Sequence, residues 1–264
     1  MFTAPPETNT GICDRYSGSW ANNTMNGQGV LRYSNGTVYK GRWENGVQHG
    51  AGHEIWTDGE YFGDYEDGVK SGLGVYLWKD DSSFAGSWQD NKINGLGAYK
   101  WSDGRTYNGE FKNGQMHGIA SHKWPDGREY TGEYQNDKKH GYGIFKWPDG
   151  KVFQGWWQNG KQHGLAVNKI KTGEQISEKF TLWVEGKMVK TFPVVSDQPL
   201  NKQLRRIEEQ VAAENPERED FKSFTFESSS NFTDRLQVAL HKIKLNKLAL
   251  DRAQLEIAAL EKLK

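Results

Sequence analysis

The chain has 264 residues, carries 34 Lys+Arg against 34 Asp+Glu, and contains one cysteine. That charge balance offers no electrostatic footprint for nucleic acid. The lone Cys13 excludes an internal disulfide framework and fits a reducing, cytoplasmic setting. With 31 Gly, 11 Trp, 11 Tyr and 12 Phe, the apolar surface is aromatic rather than aliphatic, and low net charge argues for a folded chain.

Residues 1–15 form a lead-in. Met1-Phe-Thr-Ala-Pro-Pro6 has neither the charged n-region nor the apolar h-region of a secretory leader, and it is not a myristoylation start. No apolar run approaches the roughly 18 residues that signal a membrane span.

A repeat array is expected over 16–190. The Gly of a Tyr-x-Gly-x-aromatic phrase falls at Gly18, Gly41, Gly63, Gly86, Gly109, Gly132 and Gly155, at steps of 23, 22, 23, 23, 23 and 23 residues. Seven copies at one period are the signature of a repeat architecture. The short step lies at Thr57-Asp58-Gly59, and a faded eighth copy runs through Thr172-Gly173, Ile176, Phe180 and Trp183-Val184-Glu185-Gly186.

Each unit reads as two short strands joined by turn chemistry. Asn35-Gly36, Asp58-Gly59, Asp103-Gly104, Asp126-Gly127 and Asp149-Gly150 mark one turn. Asn45-Gly46, Asp67-Gly68, Asn113-Gly114 and Asn159-Gly160 mark the other. Gly reaches positive φ without steric cost, so such pairs are hairpin signals. Two turns per period give a meander of antiparallel neighbours. Regular alternation would put Tyr107, Gly109 and Phe111 on one side, as with Tyr130, Gly132 and Tyr134. On the following strand it would group Gly95, Gly97, Tyr99 and Trp101, and likewise Gly141 with Gly143. A ring lying across bare glycine backbone compensates for a Gly inside a strand.

Tyr130-x-Gly132-x-Tyr134-Gln-Asn-Asp-Lys-x-His140-Gly141-x-Gly143 and its copies resemble the MORN repeat, over about residues 16–164 and more faintly to 186. The resemblance implies a mainly β fold, an elongated single-layer antiparallel meander of hairpins curved into a groove, here followed by a C-terminal α-helical tail. Gly118-Ile119-Ala120 and Gly164-Leu165-Ala166 depart from the Gly-x-Gly pattern, so packing should differ there.

Catalytic vocabulary is missing. The sequence has no GxxxxGK[ST], HExxH, GxSxG or complete GxGxxG pattern. His49, His117, His140 and His163 share one repeat position, but equivalent positions two strands apart lie about 10 Å from each other. Zn–N bonds are about 2 Å, so these residues cannot hold one ion. Neither an enzyme, a cofactor nor a metal is expected.

After Gly186 the chain has no Gly, Trp or Tyr, which sets a boundary near 190. Leu200, Leu204, Ile207 and Val211 follow helical spacing over about 198–214, ended by Asn215-Pro216. A second helix is expected over about 234–264, with Leu236, Leu240, Ile243, Leu250 and Ile257 on one stripe and Leu245, Leu248 and Leu255 nearly opposite. Two stripes suit a helix clasped between surfaces, a small bundle, self-association, or folding back on the sheet.

The expected function is that of a structural scaffold docking a helix or extended segment of another protein, or its own tail. The docking residues would be Tyr39, Trp43, Trp56, Tyr61, Tyr65, Trp78, Trp88, Trp101, Tyr107, Phe111, Trp124, Tyr130, Tyr134, Trp147 and Trp157, with the tail apolar residues as a second surface. The alternative is recognition of acidic phospholipid head groups. The near-neutral charge of residues 16–190, with no Lys cluster beyond Lys138-Lys139, weighs against it. Resemblance to MORN proteins of cilia and cytoskeletons implies a microtubule-based location such as the axoneme.

Overall fold

A computed structural model describes residues 8–9, 14–194, 200–214 and 241. The strands are β1 (Thr8–Asn9), β2 (Arg15–Ala21), β3 (Thr24–Arg32), β4 (Val38–Glu44), β5 (Val47–Ile55), β6 (Gly59–Glu66), β7 (Val69–Trp78), β8 (Ser83–Gln89) and β9 (Lys92–Lys100). They continue as β10 (Thr106–Lys112), β11 (Gln115–Lys123), β12 (Glu129–Gln135), β13 (Lys138–Lys146), β14 (Val152–Gln158), β15 (Lys161–Thr172), β16 (Gln175–Val184) and β17 (Lys187–Phe192). One helix, α1 (Leu200–Glu214), follows. The expected helix over 234–264, with its eight apolar residues, lies outside the described residues.

The described residues form two compact units, one from residues 1–104 and 111–114, the other from 105–110 and 115–245. In the first, β2 to β9 pair antiparallel in chain order. In the second, β11 to β17 do the same. The fold is an antiparallel β-meander, as the two turns per period require.

Both residues of the turns at Asn45-Gly46, Asp67-Gly68, Asn113-Gly114, Asn159-Gly160 and Glu185-Gly186 have positive φ, between 47° and 87°. These are two-residue turns whose twist matches the strands they join. Asn136-Asp137 does the same without glycine, because Asn and Asp tolerate the left-handed region best after Gly. Gly59 differs from the other glycines of the first turn. It opens β6, it has no positive φ, and a Cβ there would meet the Leu77 carbonyl oxygen at 2.5 Å. The residue missing from this copy shortens the turn and brings Gly59 into the ladder.

Alternation is interrupted once in each of seven described strand pairs. The register shifts at Gly18/Trp20, Gly41/Trp43, Gly63/Asp64, Gly86/Trp88, Gly132/Glu133, Gly155/Trp157 and Leu182/Trp183. In the six repeat bulges the second strand carries two extra residues, near glycines such as Gly95 (φ 98°) and Gly141 (φ 59°). This corrects the grouping of Gly95 with Gly97 and of Gly141 with Gly143. A Cβ on Gly141 would meet Glu133 Oε2 at 2.6 Å, and one on Gly95 would meet Ser87 Cβ at 3.1 Å, both side chains of the non-aromatic face.

Helix α1 covers that same non-aromatic face at the end of the second unit. Ile207 and Val211 join Val167, Phe180, Leu182 and Phe192 in one buried cluster. Val167 pairs with Phe180 and Phe180 with Phe192, so these three share a side. Their chain neighbours Ala166 and Thr181 pair with one another on the other side, where Ala166 also opposes Gly155.

Candidate functional site

The aromatic face is built by one recurring contact. Tyr130 on β12 lies across the glycine pair Gly132 and Gly143, which oppose each other on β12 and β13. A Cβ on Gly143 would sit 2.4 Å from Tyr130 Oη, and one on Gly132 2.5 Å from it. Only a pair of bare backbones admits the ring. The Tyr130 hydroxyl donates to the Glu133 carbonyl at 2.9 Å, so burial of the phenol leaves no polar group unpaired. Tyr16, Tyr39, Tyr61 and Phe84 cross their own glycine pairs in the first unit. At Gly109 and Gly155 the opposing residue is Ala120 or Ala166, whose Cβ fills the position. These are the two departures from the repeat phrase.

The crossing rings continue into edge-to-face ladders. In the first unit Tyr16, Trp43, Tyr39, Tyr65, Tyr61, Trp88, Phe84 and Phe111 make successive T-shaped contacts at 5.0–5.6 Å. In the second, Tyr107, Tyr134, Tyr130, Trp157 and Phe153 do so at 5.2–5.5 Å. Each such pair contributes about 0.5–1.5 kcal/mol beyond area burial. Among the described residues the ladder therefore serves as the core on this face of the sheet.

This divides the fifteen expected docking residues into two groups. Tyr39, Trp43, Tyr61, Tyr65, Trp88, Tyr107, Phe111, Tyr130, Tyr134 and Trp157 are between 0 and 7% exposed and belong to the ladders. Trp56, Trp78, Trp101, Trp124 and Trp147 are half-buried beside the hairpin turns. Trp56 stacks on Tyr76 at 5.6 Å, and each of the other four lies against a ring two residues earlier. Tyr76–Trp78, Tyr99–Trp101, His122–Trp124 and Phe145–Trp147 have centroid separations of 4.2, 4.6, 4.0 and 4.4 Å. The half-buried tryptophans, with Tyr76 and Tyr99 beside them, are part of the ring surface that these units offer outward.

Two lysines enter the aromatic face. Lys70 Nζ lies 4.4 Å from the Trp56 ring centroid and 3.4 Å from Glu54 Oε2, with both side chains 14% or less exposed. Tyr65 donates its hydroxyl to the same carboxylate oxygen at 2.7 Å. Burial lowers the Lys70 pKa, and Glu54 opposes that shift. Lys139 occupies the corresponding position in the second unit. Its Nζ lies 5.0–5.4 Å from the centroids of Trp124, Tyr130, Phe145 and Trp157. Burial, with a smaller contribution from the Arg128 charge, brings its pKa down to about 8.

Glu54, Lys70, Lys139 and the stacking partners Tyr76, His122 and Phe145 were missed among the expected site residues. Aligned copies carry the signal. Met25, Gln48, Lys70, Ile93, Met116, Lys139 and Gln162 share one position, and two cations stand out in that otherwise uncharged series.

The shared histidine position is used locally. His49 Nε2 lies 3.5 Å from Glu44 Oε2, and His163 Nδ1 accepts the Glu185 amide at 3.4 Å. Among the described residues no group of three or more His, Cys, Asp or Glu is placed to hold a metal ion. No described helix is long and apolar enough to cross a membrane.

The MORN repeat family model matches residues 16–38, 39–60, 61–83, 84–104, 107–127, 130–152 and 153–167, more than half of the sequence. The chain belongs to the MORN-repeat family. Comparison with curated proteins finds no match. Among solved structures, one similar chain is the SAS-4 (dCPAP) TCP domain of Drosophila melanogaster, in complex with a proline-rich motif of Ana2 (dSTIL). It is 11% identical with a TM-score of 0.38, over 67% of this chain and 96% of that one. So slight a likeness carries no weight for function. The MORN repeat is itself a structural and binding repeat, and its seven copies here supply the aromatic face.

Proposed function

We propose that this MORN-repeat chain is a non-enzymatic scaffold that docks a segment of another protein on its aromatic face. The supporting observation is the half-buried tryptophans beside the buried ladder of each unit, Trp56, Trp78 and Trp101 in the first and Trp124 and Trp147 in the second. Such rings offer rigid contact area at low entropic cost, and interfaces are enriched in Trp and Tyr. Helix α1 packs on the other face and does not compete for this one. The C-terminal apolar stripes provide a second docking element in the same reading. A microtubule-based assembly, such as the ciliary axoneme, is the proposed location on family resemblance alone.

The test is affinity purification with the intact chain, with Trp124→Ser/Trp147→Ser, and with Trp156→Ser as a control on the opposite face. The reading expects a partner retained by the intact chain and by the control, and lost from the double variant. Equal retention by all three would refute docking on this face. Salt-sensitive binding to phosphatidylserine vesicles, with no protein retained, would establish the lipid alternative.

A further inference from the structure

The two lysine sites differ in one component. In the first unit Lys70, Glu54 and Tyr65 form a closed set, a cation and a hydroxyl on one carboxylate. In the second unit Lys139 and Tyr134 occupy the corresponding positions, but His122 stands where repeat spacing puts Glu54. His122 Nδ1 lies 3.0 Å from Tyr134 Oη, so the imidazole takes over the carboxylate's contact with the tyrosine but brings no negative charge to the lysine. Among the described residues no carboxylate lies within 4.0 Å of Lys139 Nζ, and its only contacts on that face are four rings.

Two more features make the site demand an anion. Arg128 lies over the Trp124 ring at 5.4 Å and adds to the positive field, although Asp126 pairs with it at 2.7 Å. The buried Trp157 Nε1–H, in the cage wall, has no acceptor among the described residues, whereas Trp43 and Trp88 donate theirs to the Gly29 and Gly74 carbonyls. A cation held in an aromatic cage away from water is costly without a counter-charge. Lys139, Trp124 and Trp147 are all half-buried, so partly exposed apolar surface flanks the lysine.

On the docking reading above, we infer that the Lys139 cage receives the carboxylate of an Asp or Glu side chain, flanked by apolar residues, in the docked protein segment. That carboxylate would take the place Glu54 fills internally in the first unit. Lys139 would thus fix the register of the segment, while the tryptophans supply contact area.

The test is selection of a random dodecapeptide display library on the intact chain, followed by synthesis of the enriched peptides. A shared acidic residue between apolar ones is expected. Replacing it by Gln or Asn, or changing Lys139→Gln, should each weaken binding about 10- to 100-fold, and the two together little more than either alone. Peptides that bind with no acidic requirement, or unchanged by Lys139→Gln, would overturn the inference and leave the docking reading standing. Failure to select any peptide would sink both. Vesicles containing phosphatidylserine run in parallel. Binding to them that Lys139→Gln abolishes would place a lipid phosphate in the cage and also overturn the inference. The peptide substitution needs no protein variant, so the result does not depend on how Lys139→Gln folds.

Discussion

Changing Lys70→Met and Lys139→Met should have opposite consequences, although the two lysines occupy the same repeat position. The Lys70–Glu54 pair is 3.4 Å apart, with side chains 14% and 12% exposed. Removing one member of a buried ion pair costs about 3–5 kcal/mol, because the other charge stays buried without compensation. Glu54 keeps the Tyr65 hydroxyl at 2.7 Å, which places the loss near the lower end, about 3 kcal/mol. For a chain of this size that corresponds to a fall in Tm of roughly 6–12 °C. Lys139→Met removes a buried cation and leaves no carboxylate behind, so stability should hold or rise. Glu54→Leu with Lys70→Met should return to within about 1 kcal/mol of the unmodified chain, since a packed apolar pair replaces an ion pair at little cost. Urea unfolding followed by tryptophan fluorescence measures the differences. Amide exchange on β5–β7 and β12–β14 assigns them to a unit, which matters because repeats open locally. Equal losses from Lys70→Met and Lys139→Met would refute the reasoning.

The Lys139 pKa gives a pH dependence with a definite sign. Its folded value of about 8 lies below its ordinary value of 10.5, so the unfolded chain holds the proton more tightly. The resulting destabilisation is complete below pH 8 and disappears as pH rises to 10.5, on the order of 3 kcal/mol. The stability advantage of Lys139→Met should therefore shrink across that window, as paired urea titrations at pH 7 and pH 10 would read. Gly143→Ala places a methyl 2.4 Å from Tyr130 Oη and should cost about 1–3 kcal/mol in thermal melts. Adding Tyr130→Phe should not restore it, because the ring edge at 2.5 Å remains. Ile207→Ala should destabilise the α1 cluster by about 2 kcal/mol and expose β15–β17 to amide exchange. Peptide binding on the opposite face should not change.

The period, both turns and the ring-over-glycine contact could be read directly, because each rests on local chemistry repeated many times. Gly132 inside a strand is costly unless something packs on it, and Tyr130 does. The bulges were less legible. Two extra residues in the bulge turn Gly141 to the face opposite the one that alternation predicts, and glycine itself carries no hydropathy to reveal it. The split of the rings was hidden for another reason. Trp88 and Trp78 are the same residue type on the same face, and only the cross-strand packing of Tyr61 and Phe84 buries one and leaves the other half-open. Lys70 and Lys139 look like solvated charges in isolation, and their burial follows from a repeat position otherwise occupied by Met, Ile or Gln. The face chosen by α1 depends on which side of β15–β17 carries Val167, Phe180 and Phe192, and helical spacing in 200–214 cannot specify that.

Oxidative footprinting of tryptophans, with and without a selected peptide, tests the docking claim most directly. Trp124 and Trp147 stand half-buried on the aromatic face, while Trp156, paired with Tyr142 at 5.5 Å, stands on the other. The account predicts that peptide protects Trp124 and Trp147 and leaves Trp156 labelled as before. Protection of Trp156 with Trp124 and Trp147 unchanged would contradict it.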